Sequence, residues 1–177
     1  GNFSVMSFNV HKFTEEDNAT LATIDVVRKD KPDVICFQEF HPKPGKANIY
    51  DSIRKEGYAY NHSHVRKNRL PRGTSVFSKY PIVASGKVDS RNIYVDIKLP
   101  TDTIRVYNVH FSSYRLDEED RDEIDRIKHG DVTETSIKTL DKFKTTAIKH
   151  EKELDKLIMH IEGSPYRTVM CGDLNDT

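Results

Sequence analysis

Two apolar stretches near the start of the chain decide the fold: FSVMSFNV at residues 3–10 and DVICFQ at residues 33–38. Both have the length and composition of buried strands. Between them lies a segment whose apolar residues recur at helical spacing, namely Leu21, Ile24 and Val27. This spacing predicts a helix over about residues 20–29, which Pro32 prevents from continuing. A helical crossover of this length predicts parallel strands, so the chain opens with a β-α-β unit.

The composition describes a charged chain in which the two signs balance. The 177 residues are 32% charged, against a usual share of about 25%, and their length predicts one domain over residues 1–177. Lys+Arg and Asp+Glu both number 28, which excludes a globally basic nucleic-acid coat but leaves room for a local patch. No run of about eighteen apolar residues occurs, so no transmembrane segment is predicted in this sequence.

The remainder of the chain predicts further helices and strands in α+β layers. A short helix at residues 48–56 precedes four strands that read as an antiparallel meander: TSVFS, IVASGKV, NIYVDIKL and TIRVYNVHF. A long amphipathic helix is predicted over about residues 135–162, followed by a strand at residues 167–173. The apolar stripe predicted to face the core comprises Ile137, Leu140, Phe143, Ala147, Leu154, Leu157, Ile158 and Ile161.

Two charged segments stand out. A charged insert is predicted at residues 113–142, and its part at residues 117–125 packs seven acids into nine residues. We expect that acidic run to be a solvated or disordered surface, or a site for a basic partner, and it disfavours a DNA substrate. The segment HSHVRKNRLPR at residues 62–72 is basic, and we interpret Arg69 and Arg72 as substrate-binding residues of a phosphate-attracting patch. A solvated loop is the alternative.

Polar residues follow the predicted strands at their C-terminal ends: Asn9, Glu39, His110, and Asp173 with Asn175. A carboxylate after a buried strand costs free energy unless it is paired or bound to a metal. Hard divalent cations prefer oxygen ligands. Ordinary explanations also exist, since Asn and Asp often cap turns, Glu39 suits an ion pair and His110 suits a structural hydrogen bond. The joint occurrence of these residues at strand ends favours a site.

The motif order MSFNV, PDVICFQEF, GTSVFSKYPIV, VYNVHF and VMCGDLND resembles the endonuclease/exonuclease/phosphatase superfamily over about residues 3–177. That group includes pancreatic-type deoxyribonucleases, abasic-site endonucleases, inositol polyphosphate 5-phosphatases and neutral sphingomyelinases. The resemblance implies a four-layer α/β/β/α sandwich and a phosphoester hydrolase, whether phosphodiesterase, phosphatase or nuclease, that uses Mg²⁺ or Mn²⁺. The detail is most similar to a bacterial subgroup whose members often carry membrane segments, so the localisation stays open.

The resemblance also implies a role for each residue at the strand ends. Glu39 would be the principal metal ligand, with Asn9 beside it and in reach of the substrate. His110 would contact the scissile phosphate. Asp173 would orient the attacking water, and Asn175 would help to hold the phosphate. The substrate is a phosphoester whose class these motifs do not name.

One departure from the family pattern bears on activity. The family places an Asp-His pair near its C-terminus, and its histidine acts as the general base, but the 177 residues contain no Asp-His dipeptide. We therefore expect a truncated sandwich that lacks its last strands and has little activity as given. An uncovered sheet edge would favour a homodimer. The alternative function is a non-catalytic module of the same fold that binds a phosphate group or a protein.

Overall fold

The computed structural model describes residues 3–11, 19–41, 49–65, 73–114, 118–130 and 132–175. No helix among these residues combines the length and the apolar character needed to cross a membrane. The predicted substrate-binding residues Arg69 and Arg72 lie outside the described ranges.

The first sheet contains the predicted β-α-β opening. Its strands are β1 (Val5–Asn9), β2 (Val34–Gln38), β3 (Tyr60–Val65) and β4 (Gly73–Ser78), in the order β1-β2-β4-β3. The β1 and β2 strands are parallel, as predicted, and α1 (Ala19–Asp30) makes the crossover between them. The short helix α2 (Ile49–Lys55) follows β2, and β4 pairs antiparallel with both β2 and β3.

The second sheet contains β5 (Ile82–Lys87), β6 (Ile93–Lys98), β7 (Thr103–His110) and β8 (Arg167–Asp173), in that order. The β5, β6 and β7 strands form an antiparallel meander, and β8 pairs parallel with β7. Between β7 and β8 the chain forms α3 (Glu118–Lys128) and α4 (Glu134–Glu162). The prediction of a four-stranded meander was wrong at its first strand, since β4 pairs within the first sheet.

The core is organised in layers. Apolar residues of α1 and α2, such as Ile24 and Ile53, pack on the outer face of the first sheet against Phe37 and Phe77. Between the sheets lies an apolar layer formed by Val34, Cys36, Val76, Ile93, Val95, Ile97, Ile104 and Val106. Burial of one such Val or Ile side chain contributes about 1.5–3 kcal/mol. Leu157 of α4 packs on the outer face of the second sheet against Tyr107 and Val109. These layers confirm the predicted α+β class and the α/β/β/α sandwich.

Two buried amides connect the sheets near one end of the sandwich. Gln38 at the end of β2 donates from Nε2 to Asn108 Oδ1 of β7 at 2.8 Å. Asn108 in turn donates from Nδ2 to the carbonyl oxygens of Phe37 and Ser75, each at 2.9 Å. Because an unpaired buried amide costs about 1–3 kcal/mol, these bonds oppose sliding of one sheet over the other.

The apolar stripe predicted for the long helix is largely solvent-exposed. All eight of its residues are described; Leu157 is buried, whereas Ile137, Leu140, Phe143, Leu154 and Ile158 are 38–56% exposed. The packed side of α4 combines Leu157 and Ile161 of this stripe with polar contacts. Glu153 accepts hydrogen bonds from Ser112, and Tyr107 Oη donates to the backbone oxygen of His160 at 3.0 Å. Apolar periodicity therefore identified the helix, but of the predicted stripe Leu157 and Ile161 face the sheet while most of the other residues are exposed.

The acidic run is only partly the solvated surface that the sequence predicts, since Glu119, Asp122 and Asp125 are exposed but two acids are buried. Its described part lies in α3, where Asp120 and Glu123 are buried against the start of α4. Glu123 Oε1 accepts hydrogen bonds from Thr133 Oγ1 at 2.7 Å and from Ser136 Oγ. Thr133 caps α4 through a reciprocal bond pattern with Ser136. These bonds, first from Ser136 and then from Thr133, hold the pKa of the Glu123 carboxyl below its usual range. Glu123 thus attaches α3 to the N-terminus of α4.

The segment at residues 62–72 is a strand in its first part, since residues 62–65 belong to β3. His62 and His64 pair with Val76 and Thr74 of β4 in the antiparallel register. Burial lowers the pKa of His62, with smaller contributions from the nearby charges of His64 and Lys87.

We predict that Glu123→Gln loosens α3 in a pH-dependent way. The carboxyl pKa is lower in the folded chain than its unfolded value of about 4.3. The stabilisation is therefore complete above the unfolded pKa and is lost as the pH falls through the folded pKa. At pH 7, Tm should fall by roughly 2–4 °C relative to the unsubstituted chain. This difference should shrink as the pH falls below the unfolded pKa and through the lower folded pKa.

Glu119→Gln is the matched control, because Glu119 is an exposed acid of the same helix. The Tm of both variants and of the unsubstituted chain is measured by thermal unfolding at several pH values. If the two variants have equal Tm at pH 7, Glu123 does not stabilise the docking of α3.

Candidate active site

The two parallel strand pairs end at the same edge of the sandwich. In the first sheet Asn9 pairs with Gln38, and Glu39 follows directly. In the second sheet His110 pairs with Asp173 at the last position of β7 and β8. Parallel strands end on the same side, so each pair presents two polar residues together. The docking of the sheets brings both pairs to one rim.

A hydrogen bond between the sheets joins Asn9 to Asp173. Asn9 Nδ2 donates to Asp173 Oδ2 at 2.8 Å, and both residues are half-buried. The side-chain oxygen of Asn9 and the second carboxylate oxygen of Asp173 each accept a hydrogen bond from a backbone amide. His11 N donates to Asn9 Oδ1 at 3.0 Å, and Asn175 N donates to Asp173 Oδ1 at 2.9 Å. The Asp173 carboxylate is therefore held in a fixed orientation.

Glu39 and His110 form the second contact across the sheets. Glu39 Oε1 lies 3.9 Å from His110 Nε2, and the two side chains are only 13% and 7% exposed. Glu39 has a φ of 50°, the left-handed region that non-glycine residues rarely adopt. Such a backbone costs about 1–3 kcal/mol, and residues of this kind cluster at functional sites. The turn at Glu39 directs its carboxylate toward the second sheet.

The chain after β8 wraps around the end of β7. Phe111 N donates to the Asp173 carbonyl at 3.0 Å, and Asn175 Nδ2 donates to the Phe111 carbonyl at 2.8 Å. The Asn175 amide nitrogen is therefore bonded to the backbone, and φ of Asn175 is 50°. The sequence-predicted contact of this residue with phosphate stays a prediction.

Gly172 permits the close approach of β8 to β7 just before Asp173. Its φ is 146°, and a Cβ added there would lie 1.9 Å from the Val109 carbonyl oxygen. Only glycine fits this position. The glycine of the GDLN motif thus allows the register that sets Asp173 opposite His110.

A cleft of about 550 Å³ opens at this rim between β1 and β8, and its lining includes Asn9, Asp173 and Asn175. Within the described ranges, no group of three or more His, Cys, Asp and Glu side chains is suited to hold a metal ion. Mg²⁺ usually retains several waters and needs only one or two protein carboxylates. Glu39, Asn9 and Asp173 offer side-chain oxygens, which are the ligands that hard cations such as Mg²⁺ and Mn²⁺ prefer.

Sequence analysis missed Asn92, which is buried in the turn before β6 and accepts the backbone amide of His110 on Oδ1 at 2.7 Å. It also missed the bridging pair Gln38 and Asn108. The available signal was the same in each case: an amide side chain that adjoins an apolar strand segment, where a buried polar group requires a partner.

Comparison with known proteins gives a family and a fold. The sequence model of the protein family described as "Endonuclease/Exonuclease/phosphatase family" matches residues 6–177. No curated protein matches the sequence significantly.

Several solved structures share the fold. A D. rerio TDP2 humanized by 14 mutations has a TM-score of 0.66 at 13% identity, over 99% of this chain and 63% of its own. ANGEL2, a 2',3'-cyclic phosphatase, has a TM-score of 0.64 at 18% identity, over 99% of this chain and 53% of its own. An AP endonuclease from Archaeoglobus fulgidus has a TM-score of 0.60 at 17% identity, over 98% of this chain and 58% of its own.

The chain thus spans roughly half to two thirds of the length of these structures. Identities this low show the fold alone. The family match, in contrast, covers nearly the whole chain. On that match, the protein belongs to the endonuclease/exonuclease/phosphatase family.

Proposed function

We propose that this chain carries the phosphoester-hydrolysing site of a hydrolase that depends on a divalent cation. The observation that supports the proposal is the meeting of two polar pairs, Asn9 with Asp173 and Glu39 with His110, at one rim. Each pair combines one residue from each sheet. A site built in this way surrounds a bound group from both sides, which suits a phosphate with oxygens pointing in several directions.

Glu39 and Asn9 would hold the cation, since both offer side-chain oxygens at the end of the first sheet. When bound, Mg²⁺ or Mn²⁺ supplies positive charge that neutralises the phosphoryl oxygens and polarises the phosphorus–oxygen bond. Glu39 is suited to this task because its carboxylate is largely removed from solvent, where its attraction for a cation is less screened.

His110 and Asp173 would act on the substrate itself. The His110 ring is largely buried, and a donor at Nε2 would stabilise negative charge on a phosphoryl oxygen. Each Asp173 oxygen accepts one hydrogen bond and retains capacity for another. The carboxylate would orient a water for attack on phosphorus while the ester oxygen leaves.

The substrate class stays at the level of a phosphoester. The fold relatives include an AP endonuclease and a 2',3'-cyclic phosphatase, so the same architecture serves more than one phosphate-containing substrate. Specificity depends on the loops that surround a site rather than on its fold.

One observation favours a second candidate function. The 177 residues contain no Asp-His dipeptide, the pair that the family uses for its general base. A positioned base contributes about 10²–10⁴-fold to a rate. We therefore propose that these residues alone turn over substrate very slowly. A module that binds phosphate or a protein without hydrolysis is the alternative.

We predict that Glu39→Gln weakens Mn²⁺ binding at least tenfold, because the substitution removes the charged ligand and leaves the side-chain volume nearly unchanged. Isothermal titration with MnCl₂ and with MgCl₂ measures the effect. Glu134→Gln is the control, since Glu134 is an exposed acid at the start of α4. Equal affinity of the Glu39→Gln variant and the unsubstituted chain would refute the metal site.

We predict that free imidazole restores hydrolysis of bis-p-nitrophenyl phosphate by the 177 residues. With Mn²⁺ alone the rate should be near background, because the 177 residues contain no Asp-His pair to supply the family's general base. Tens of millimolar imidazole should raise the rate at least tenfold, since it supplies a diffusible base. Neither Glu39→Gln nor His110→Ala should respond to imidazole.

Three outcomes separate the proposals. Fast turnover without imidazole, if abolished by Glu39→Gln, would support the hydrolase and refute the missing-base argument. A rate increase with imidazole that Glu39→Gln abolishes would support both the hydrolase and the missing-base argument. Binding of Mn²⁺ and inorganic phosphate with no turnover under any condition would favour the binding module over the enzyme.

A further inference from the structure

The end of β7 extends beyond the strand beside it. The last β6–β7 pair at this end is Ile93 with Asn108, so Val109 and His110 continue past β6. On the other side β8 accompanies β7 as far as Asp173. The backbone amide of His110 points toward the β6 side, where the regular ladder has ended. Strand ends of this kind fray unless another group takes the place of the missing strand.

Asn92 supplies that group. Its side chain is fully buried, and Oδ1 accepts the His110 amide at 2.7 Å. Its Nδ2 donates to Asp89 Oδ2 at 2.8 Å. The other carboxylate oxygen of Asp89 accepts the amides of Arg91 at 2.7 Å and Asn92 at 2.9 Å. Val88 N donates to the Asn92 carbonyl at 2.9 Å and closes the turn.

The same turn is attached to both sheets. Thr74 of β4 donates from Oγ1 to the Arg91 carbonyl at 2.9 Å. The Arg91 guanidinium donates from one terminal nitrogen to the Phe111 carbonyl at 3.3 Å. His110 is thus held at its own amide, and the residue after it is held at its carbonyl. The turn between β5 and β6 acts as a clamp, which we call the Asp89–Asn92 clamp and define as residues 89–92.

We propose that Asn92 is a positioning residue that, with Asp89, fixes the backbone at His110 and thereby directs the imidazole toward Glu39. The inference rests on the proposed function, because His110 is the phosphate-contacting residue there. An apolar residue at position 92 would leave the His110 amide without an acceptor and an oxygen of Asp89 without its donor. An amide is suited to this place because it both donates and accepts.

NMR spectroscopy of the free protein tests the proposal without metal, substrate or turnover. The readout is the change that Glu39→Gln causes in the His110 ring resonances, since Glu39 Oε1 lies 3.9 Å from Nε2. A second readout is the rate of hydrogen exchange at the His110 amide. Both are measured in the unsubstituted chain and in N92A, N92D and the exchanged pair D89N/N92D. The exposed amide of Asn61 provides the control variant N61A.

We expect N92A to raise the hydrogen-exchange rate of the His110 amide at least tenfold. We also expect N92A to reduce by at least half the change that Glu39→Gln causes in the His110 ring resonances. N92D should also perturb both readouts, because it places two carboxylates side by side. D89N/N92D should restore them. In that exchanged pair the amide at position 89 donates to the carboxylate at position 92, which still accepts from His110. N61A should change neither readout.

The proposal is overturned if Glu39→Gln affects the His110 ring equally with and without N92A, because Asn92 would then support the turn alone. If N92A fails to fold, the test is the comparison of N92D with D89N/N92D. The proposal is contradicted if both variants change the His110 amide exchange and the His110 ring resonances to the same extent. Loss of Mn²⁺ binding or turnover would concern the proposed hydrolase and leave these measurements unaffected. Failure of one proposal is therefore distinguishable from failure of the other.

Discussion

The Gln38–Asn108 hydrogen bond crosses the mainly apolar layer between the sheets and helps to set how the two sheets face each other. Gln38 directly precedes Glu39, and Asn108 lies two residues before His110, so the bond fixes the relative positions of the strands that carry these side chains. A shift of one sheet would break all three hydrogen bonds that the Asn108 amide makes with the first sheet, whereas Gln38 would keep its bonds to Ser7 Oγ and the Cys36 carbonyl. Apolar packing alone is not directional and would tolerate such a shift more readily. The placement of the candidate site depends on this polar contact within the core.

The candidate site repeats one arrangement in each sheet. Each sheet has a parallel pair at one side, β1 with β2 and β7 with β8, and polar residues stand at the C-terminal end of each pair. Other features serve this arrangement locally. The left-handed backbone at Glu39 and the close approach at Gly172 bring carboxylates to the rim, and the Asp89–Asn92 clamp secures His110. The site is thus a product of strand register more than of any one loop.

The sequence predicted the parts of this arrangement that follow from local patterns. The β-α-β opening, the long helix and the polar residues at the strand ends were all evident, because a strand or helix imposes its own periodicity. Contacts between residues distant in sequence could not be predicted in this way. The GTSVFS stretch has the same composition whichever sheet it joins, and its pairing with β2 depends on burial of Val76 and Phe77 on opposite faces. The buried side of α4 was predicted only in part: Leu157 and Ile161 do pack on the second sheet, but the hydrogen bonds of Ser136, Glu153 and His160 leave no trace in an apolar pattern. Asn92 was missed because an amide in a turn usually serves that turn alone.

Because the rim is divided between two sheets, a ligand bound at the proposed site would also hold the two sheets together. A group bound between Glu39 and Asp173 would contact both halves, so any separation of the halves would release it. By mass action, such a group at one hundred times its dissociation constant adds about 2.7 kcal/mol to the free energy needed to part them. On the proposed function, a ligand bound at the rim would therefore also stabilise the association of the two halves of the molecule.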